Sequence, residues 1–318
     1  MTALLTRDRR RILYAALAAI VLFVVGDLVR PGFASGDSIA AILVVASFVG
    51  LVAAGQMFVI LIGGIDLSVP WVVNGAAILM VTSSLGQDSR AALGLAATLG
   101  MGLLVGAING VGVALFNIPA VVMTLAINGI MQGLTLGFSS GMTCTACASY
   151  APPLVRDAVH GALFGIPAAL WVWLAVAILV SVVLSLTTFG RRTYAVGTSA
   201  RASYLAGINV AAVTIALYAL SGFFSALAGI MLVGFGGQAA LGMGDPYLFQ
   251  SIAAVVIGGV AILGGRGHYI GVVAGTVSLV ALVSVLLALN MPQYGRSIIY
   301  GLIILALLLL YGRDTEET

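Results

Sequence analysis

Seven polar side chains fall within or beside long apolar stretches and are the residues best placed to do chemistry. They are Gln56, Asp66, Asn74, Asn109, Asn128, Gln132 and Gln250. The amides each offer a hydrogen-bond donor and an acceptor, which suits contact with hydroxyl-rich small molecules. Their alternative role is to hold apolar helices together, at about 0.6 kcal/mol per hydrogen bond. Asp66 is the acid among them and the candidate for binding an ion.

One motif resembles the signature of a catalytic serine. The segment Gly137–Gly141 (GFSSG) matches the G-x-S-x-G pattern. A hydrolase built on Ser139 would need a histidine from another helix. His160 is predicted in an outer loop, and His268 at the inner edge, far from Ser139. A loop of small residues is therefore favoured over a nucleophile.

Cys144 and Cys147 form a C-x-x-C pair. A redox site would need a βαβ unit around them, and a zinc site would need two more ligands. A local disulfide or two unused thiols in an outer loop is predicted instead. The sequence thus predicts no catalytic residue and no metal site.

The composition requires a surface that faces lipid. Of 318 residues, 62% are hydrophobic and 7% are charged, whereas soluble domains carry about 25% charged residues. The 13 basic residues are all arginine, so the chain lacks the lysine of ATP-hydrolysing P-loops and a Schiff-base amine. It is therefore not expected to hydrolyse ATP. The arginines lie at membrane edges and form no patch for nucleic acid.

Apolar stretches of about 20 residues predict transmembrane helices. We place ten, with eight or nine as alternatives, at Ile12–Val29, Ile39–Ile62, Leu67–Ser84, Ala91–Phe116, Ala120–Phe138, Ala168–Thr187, Val210–Phe235, Leu248–Leu263, Tyr269–Leu289 and Ile298–Tyr311. Glycines at 258, 259, 264 and 265 predict that the eighth span breaks or re-enters. The predicted fold class is an all-α polytopic membrane protein, with residues 1–318 forming one transmembrane domain.

Arginine placement predicts the orientation, because cytoplasmic loops are enriched in positive charge. With ten spans and the N-terminus inside, nine arginines lie on inner segments and four on outer ones. Both termini are therefore predicted in the cytoplasm, and residues 139–167 form an outer loop. The first apolar run is an uncleaved anchor rather than a secretory signal, because no small-residue cleavage site follows it cleanly.

Small residues at every fourth position predict close helix packing. The fourth span carries Thr98, Gly102, Gly106, Gly110 and Ala114, and the seventh carries Ser221, Ser225 and Gly229. A short internal similarity also relates Asn117-Ile118-Pro119 to Asn290-Met291-Pro292. The two triplets follow spans of opposite orientation, which is the relation that an inverted repeat predicts.

Three stretches of the sequence resemble one family of membrane proteins. They are QMFVILIGGIDLSV at 56–69, FGRRTYAVGTSARASYLAGINV at 189–210 and SIAAVVIGGVAILGGRG at 251–267. Together they are similar to the membrane permeases of ribose-type ABC importers, in the wider ribose/branched-chain amino-acid permease superfamily. The resemblance runs from about Val44 to the C-terminus.

The resemblance implies an ABC importer permease fold in a bacterial inner membrane, with no cofactor bound by this chain. It implies three partners: a second permease subunit, an ABC ATPase that uses ATP, and a periplasmic substrate-binding protein. The cytoplasmic coupling loop, residues 189–208, would contact the ATPase. Its candidate coupling residues are Gly190, Arg191, Arg192, Gly197, Ala200, Arg201, Ala202, Leu205 and Gly207.

The coupling loop departs from the family pattern. Glu-Ala-Ala is usual where this chain has Ala200-Arg201-Ala202, and Tyr204 stands where a basic residue is common. Pro70 likewise replaces a usual glycine. These departures leave open whether the second permease subunit is an identical copy or a different chain.

The predicted function is alternating-access transport of a small neutral solute, a monosaccharide or polyol, because a zwitterion would need compensating charge in the spans. The six amides and Asp66 are then candidates for lining the path. Gly63-Gly64 and Gly258-Gly259 are candidate flexible points, with close backbone packing as their alternative role. The alternatives are an ion-coupled secondary carrier using Asp66, an intramembrane enzyme using Ser139, and a superfamily permease for a branched-chain amino acid or a quorum signal.

Overall fold

The computed structural model describes residues 2–139 and 150–313, which are mostly helical. In chain order the helices are α1 Thr2–Val29, α2 Gly36–Ile60, α3 Val69–Ser84, α4 Ala91–Leu115, α5 Ala120–Phe138, α6 Pro153–His160, α7 Ala168–Leu186, α8 Thr188–Thr198, α9 Ala200–Leu205, α10 Val210–Gly236, α11 Tyr247–Ile257, α12 Tyr269–Ala288 and α13 Gln293–Arg313. A 3₁₀ turn at Asp88–Arg90 precedes α4. The short strands β1 Ala162–Leu163 and β2 Ile166–Pro167 pair antiparallel.

Each predicted span coincides with one helix, namely α1 to α5, α7 and α10 to α13. Within the described residues, seven helices are long and apolar enough to cross a membrane. Helices α3 and α11 are shorter, with 16 and 11 residues. The all-α polytopic fold is therefore confirmed, and the count of ten spans is approximate.

Two non-helical segments separate helices of the bundle. We call residues 61–68, between α2 and α3, the first break, and residues 258–268, between α11 and α12, the second break. Gly63, Gly259, Gly264 and Gly265 have φ of 77°, 83°, 89° and 78°, a region that residues with a side chain rarely adopt. The predicted interruption of the eighth span is confirmed.

Helices α4 and α10 pack with their backbones in contact, as the small residues of the fourth span predicted. A methyl group on Gly102 would overlap the carbonyl oxygen of Gly222, and one on Gly110 would lie 2.6 Å from Ile215 Cα. Helix α12 approaches the second break equally closely, since a methyl group on Gly258 would lie 2.6 Å from Val272 Cα. Such approach is available only to small residues.

The predicted outer loop, residues 139–167, carries α6 and the strand pair, and its residues 140–149 lie outside the described part of the chain. Helix α6 is tied to its neighbours by polar contacts. His160 Nε2 hydrogen-bonds with the Phe235 carbonyl at 3.0 Å, and Leu154 N–H donates to Asp88 Oδ1 at 2.8 Å. We call this the α6 end of the bundle. The opposite α8 end, reached through the 19-residue α7, carries α8 and α9.

The asparagines of the two related triplets share one backbone feature. Asn117 and Asn290 both have left-handed backbones, with φ of 51° and 57°. Each asparagine lies two residues beyond a helix end, after Leu115 of α4 and Ala288 of α12. The two turns thus share a left-handed asparagine, while an inverted repeat of the whole chain stays a prediction.

Candidate functional site

A group of buried polar side chains surrounds Asp66 in the first break. Asp66 is 1% exposed. Its Oδ1 accepts hydrogen bonds from Ser68 N–H at 2.9 Å and Ser68 Oγ at 2.6 Å, and its Oδ2 accepts from Ser221 Oγ at 2.7 Å. Asn109 Nδ2 donates to Ser68 Oγ at 2.9 Å. One carboxylate thus joins the first break to α10 directly and to α4 through Ser68.

Side chains also replace the backbone hydrogen bonds that a helix would have made. With its amide oriented to satisfy both groups, Gln56 of α2 donates to the Asp66 carbonyl and accepts from the Asp66 N–H, each at 3.2 Å. Thr124 Oγ1 of α5 accepts from Leu67 N–H at 3.0 Å. Non-helical backbone at membrane depth persists only when the protein satisfies it in this way. We call Gln56, Asp66, Ser68, Asn109, Thr124 and Ser221 the break cluster.

The break cluster retains unused hydrogen-bonding capacity. Among the described residues, Asn109 Oδ1 and the Tyr218 hydroxyl are buried without a hydrogen-bond partner. Tyr218 lies against the first break, since a methyl group on Gly64 would lie 2.5 Å from its hydroxyl oxygen. Asn109 Oδ1 on α4 and the Tyr218 hydroxyl on α10 therefore keep unused hydrogen-bonding capacity beside the break cluster.

Two further candidate amides connect neighbouring elements. Asn74 of α3 accepts from Gly244 N–H at 3.0 Å and donates to Asp245 Oδ1 at 3.2 Å, which anchors the loop between α10 and α11. Gln250 of α11 donates to the Tyr300 hydroxyl of α13 at 3.2 Å. In this conformation both amides hold parts of the bundle together.

Helix α5 presents the other two candidate amides on a surface of small residues. Gln132 is exposed, and Asn128 is half-buried with an Oδ1 that has no partner within the described residues. Methyl groups added at Gly129, Gly133 or Gly137 would meet nothing within 4 Å. We call these five residues the α5 face. Polar side chains within a membrane usually face a partner or a water-filled cavity instead of lipid, so this face suits one or the other.

The segment predicted as the coupling loop forms two short helices, each with a capped N-terminus. Thr187 Oγ1 accepts from Gly190 N–H at 3.2 Å to cap α8, and Ser199 Oγ accepts from Ala202 N–H at 3.2 Å to cap α9. These capping hydroxyls satisfy N–H groups that a helix start leaves unpaired. The chain therefore turns between α8 and α9 at Ser199.

The candidate coupling residues divide into an exposed set and an inward set. The exposed residues are Arg191, Arg192, Ala200, Arg201, Ala202, Leu205 and Gly207. Tyr204 and Leu205 are 73% and 77% exposed, and they border a groove of about 890 Å³ between α9 and the end of α4. Gly190 is buried and Gly197 is half-buried. The exposed set can contact another protein, and Gly190 and Gly197 face the bundle.

The structure describes Ser139 of the G-x-S-x-G motif and both histidines. Ser139 Oγ donates to the Leu136 carbonyl at 3.4 Å, while His160 contacts Phe235. His268 is the last residue of the second break and immediately precedes α12. Cys144 and Cys147 lie outside the described residues, so their predicted state stays a prediction.

Sequence reasoning missed Ser68, Thr124 and Tyr218, and treated Ser221 only as a small packing residue. A signal existed for Ser68, because an aspartate two residues before a serine is typical of a turn in which the carboxylate accepts the later N–H. Thr124 and Tyr218 lie far from Asp66 in the sequence and gave no such signal.

Comparisons with known proteins place these features in a family. Residues 38–308 match the family described as branched-chain amino acid transport system / permease component. The ribose import permease protein RbsC of Haemophilus influenzae is 34% identical over 295 residues, or 92% of this chain and 90% of that protein. The autoinducer 2 import system permease protein LsrC of Escherichia coli O9:H4 is 32% identical over 306 residues, covering 96% and 88%. The LsrC protein of Salmonella paratyphi B is 32% identical over 300 residues, or 94% of this chain and 85% of that protein. No solved structure matches the chain significantly.

Proposed function

The chain belongs to the family of permease components of branched-chain amino acid transport systems, and we propose that it imports a small neutral solute as part of an ATP-binding-cassette transporter. It is a multi-pass inner membrane protein and a transport component rather than an enzyme. ATP hydrolysis then belongs to a separate chain, in keeping with the absence of lysine.

The α5 face is the observation that carries this proposal. Gln132 is the exposed member of the six candidate amides, and an amide in a span is costly to leave against lipid. Within the single chain, the contact between α4 and α10 leaves no room for a solute between those helices. A path bordered by α5 and completed by a second permease subunit accounts for both observations.

A monosaccharide such as ribose is the substrate class that fits best. The amides of the α5 face provide donors and acceptors for hydroxyl groups, and the face carries no charge that would pair with an amino acid. One relative is named for ribose import and two for autoinducer 2 import. A quorum signal of the second kind and a branched-chain amino acid are the alternative substrates within this family.

The two ends of the bundle suit different partners. Exposed Arg191, Arg192 and Arg201, with Tyr204 and Leu205, form a basic and apolar surface that suits docking of an ATPase at the α8 end. The α6 end would receive the substrate-binding protein. This arrangement puts the α8 end and both termini in the cytoplasm. The second permease subunit is either an identical copy or a related chain.

Uptake by reconstituted vesicles tests the proposal. The chain is purified with its ATPase, placed in proteoliposomes that contain ATP, and supplied with binding protein and labelled ribose outside. We expect uptake that requires ATP and does not respond to a proton gradient. Uptake that follows a proton gradient with no ATPase present would establish the secondary-carrier alternative. ATP-dependent uptake of labelled leucine or labelled autoinducer 2, with no uptake of labelled ribose, would reassign the substrate.

A further inference from the structure

At Gly197, helix α8 touches both breaks through backbone atoms. A methyl group on Gly197 would overlap the carbonyl oxygen of Leu61 in the first break, and would lie 2.7 Å from the backbone nitrogen of Gly265 in the second. The same Leu61 carbonyl accepts a hydrogen bond from Gly265 N–H at 2.9 Å. Three segments distant in sequence therefore meet at one carbonyl group. We call Leu61, Gly197 and Gly265 the triple junction.

The surroundings of the triple junction are equally tight. A methyl group on Gly264 would lie 2.9 Å from both Gly63 N and the Leu61 carbonyl oxygen, and 3.0 Å from the Gly197 carbonyl oxygen. The Tyr194 hydroxyl donates to the Gly267 carbonyl at 2.6 Å, which adds a second tie between α8 and the second break. Because the backbones touch directly, no flexible side chain separates the segments, and a shift of one must displace the others.

From the triple junction each break leads to helices of the bundle. The first break runs on to Asp66, which is bound to Ser221 of α10. The second break begins at Gly258, where a methyl group would lie 2.6 Å from Val272 Cα of α12. The first break is thus held at one end by α8 and at the other by the break cluster, while the second touches α8 and α12.

We propose that the triple junction is the point at which movement of α8 and α9 is transmitted to both breaks, so that one displacement reorients the helices that flank them. The proposal rests on the function proposed above, because the displacement would come from an ATPase docked on α8 and α9. It also assigns a positioning role to Gly197, whose lack of a side chain permits the contact with Leu61.

The test compares three variants of the reconstituted complex, with labelled ribose as the probe. Gly197→Ala pushes α8 away from Leu61. Tyr194→Phe adds no atoms and removes the hydrogen bond from the tyrosine hydroxyl to the Gly267 carbonyl. Gly100→Ala is the control, since its methyl group would meet nothing within 4 Å. Ribose uptake and ATP hydrolysis are measured on the same vesicles, and assembly with the ATPase is checked by co-purification.

Cysteine labelling gives a second readout, which reports on the second break and does not depend on transport. Leu263 is 76% exposed beside the triple junction, so Leu263→Cys is introduced with Cys144→Ser and Cys147→Ser. The rate of maleimide labelling at this position is then compared with and without a non-hydrolysable ATP analogue. Transmission through the triple junction predicts a nucleotide-dependent rate that Gly197→Ala abolishes and Gly100→Ala preserves.

We expect ribose uptake per ATP hydrolysed to fall about tenfold in Gly197→Ala and about fivefold in Tyr194→Phe, within the usual range of coupling between distant sites. Unchanged uptake per ATP in both variants would overturn the transmission role. If Gly197→Ala does not assemble, Tyr194→Phe decides alone. Lack of ATP-dependent uptake by the unsubstituted complex would instead overturn the proposed function, and with it this inference.

Discussion

Substituting Gly110 by alanine tests the contact between α4 and α10 that gives the bundle its rigid centre. The new methyl group would lie 2.6 Å from Ile215 Cα, a backbone atom that no rotamer change can move. Ordinary van der Waals contact begins at 3.4 Å, so the two helices must separate by 3.4 Å minus 2.6 Å, or 0.8 Å. Such overpacking costs about 1–3 kcal/mol. The adjacent Asn109, bonded to Ser68, would be displaced with the helix.

The assay is reversible unfolding of the purified protein in mixed detergent micelles, followed by circular dichroism. Gly100→Ala on the same helix is the matched control, because its methyl group would meet nothing within 4 Å. Both substitutions gain up to about 1 kcal/mol of helix propensity, so the difference between them isolates the packing cost. We expect Gly110→Ala to unfold with a free energy about 1–3 kcal/mol below that of Gly100→Ala. Equal free energies of unfolding would refute direct backbone contact between α4 and α10.

Three other substitutions probe polar side chains of the bundle. Asp66→Leu leaves the hydroxyls of Ser68 and Ser221 without their acceptor, and should lower the free energy of unfolding by about 1–3 kcal/mol for each; a stability equal to wild type would contradict the hydrogen-bond assignment. Asn74→Ala frees the Gly244 N–H, whose hydrogen exchange should accelerate about fivefold by mass spectrometry. Gln132→Leu should reduce ribose uptake about fivefold, as expected for one lost hydrogen bond, without lowering stability. Loss of stability on Gln132→Leu would indicate a packing role for this exposed amide.

The helices were largely predictable because the bilayer imposes one requirement on every span. About 20 apolar residues are needed to cross it, so α5 was predicted with both ends correct, at Ala120 and Phe138. The interruption after Ile257 was also predictable, since clustered glycines favour backbone conformations that a helix excludes. The start of α1 was predicted ten residues late, because Thr2 to Arg11 continues the helix through polar sequence that hydropathy cannot assign to a span.

The arrangement of polar groups was less predictable, because hydropathy ranks residues singly and hydrogen bonds join pairs. Asn109 and Gln132 have similar chemistry and both lie in apolar spans, yet Asn109 is fully buried and Gln132 is exposed. What distinguishes them is the neighbouring helix, which α4 has in α10 and which the α5 face lacks among the described residues. Which residues partner the first break depends on the fold, and Thr124 lies 57 residues from the N–H group that it satisfies.

The presence of Asp66 in spans otherwise almost free of charge follows from the donors around it. Two hydroxyls and one N–H point at its two oxygens, and an ionised carboxylate offers acceptor sites without adding a donor. An amide in its place would supply only one oxygen and would turn N–H groups toward one of those donors. The carboxylate is thus suited to hold the first break against α10. An ion-coupled mechanism would require Ser68 and Ser221 to give up their hydrogen bonds to it. The secondary-carrier alternative therefore predicts that Asp66→Asn abolishes transport at intact stability, whereas an anchoring role predicts that stability and transport decline together.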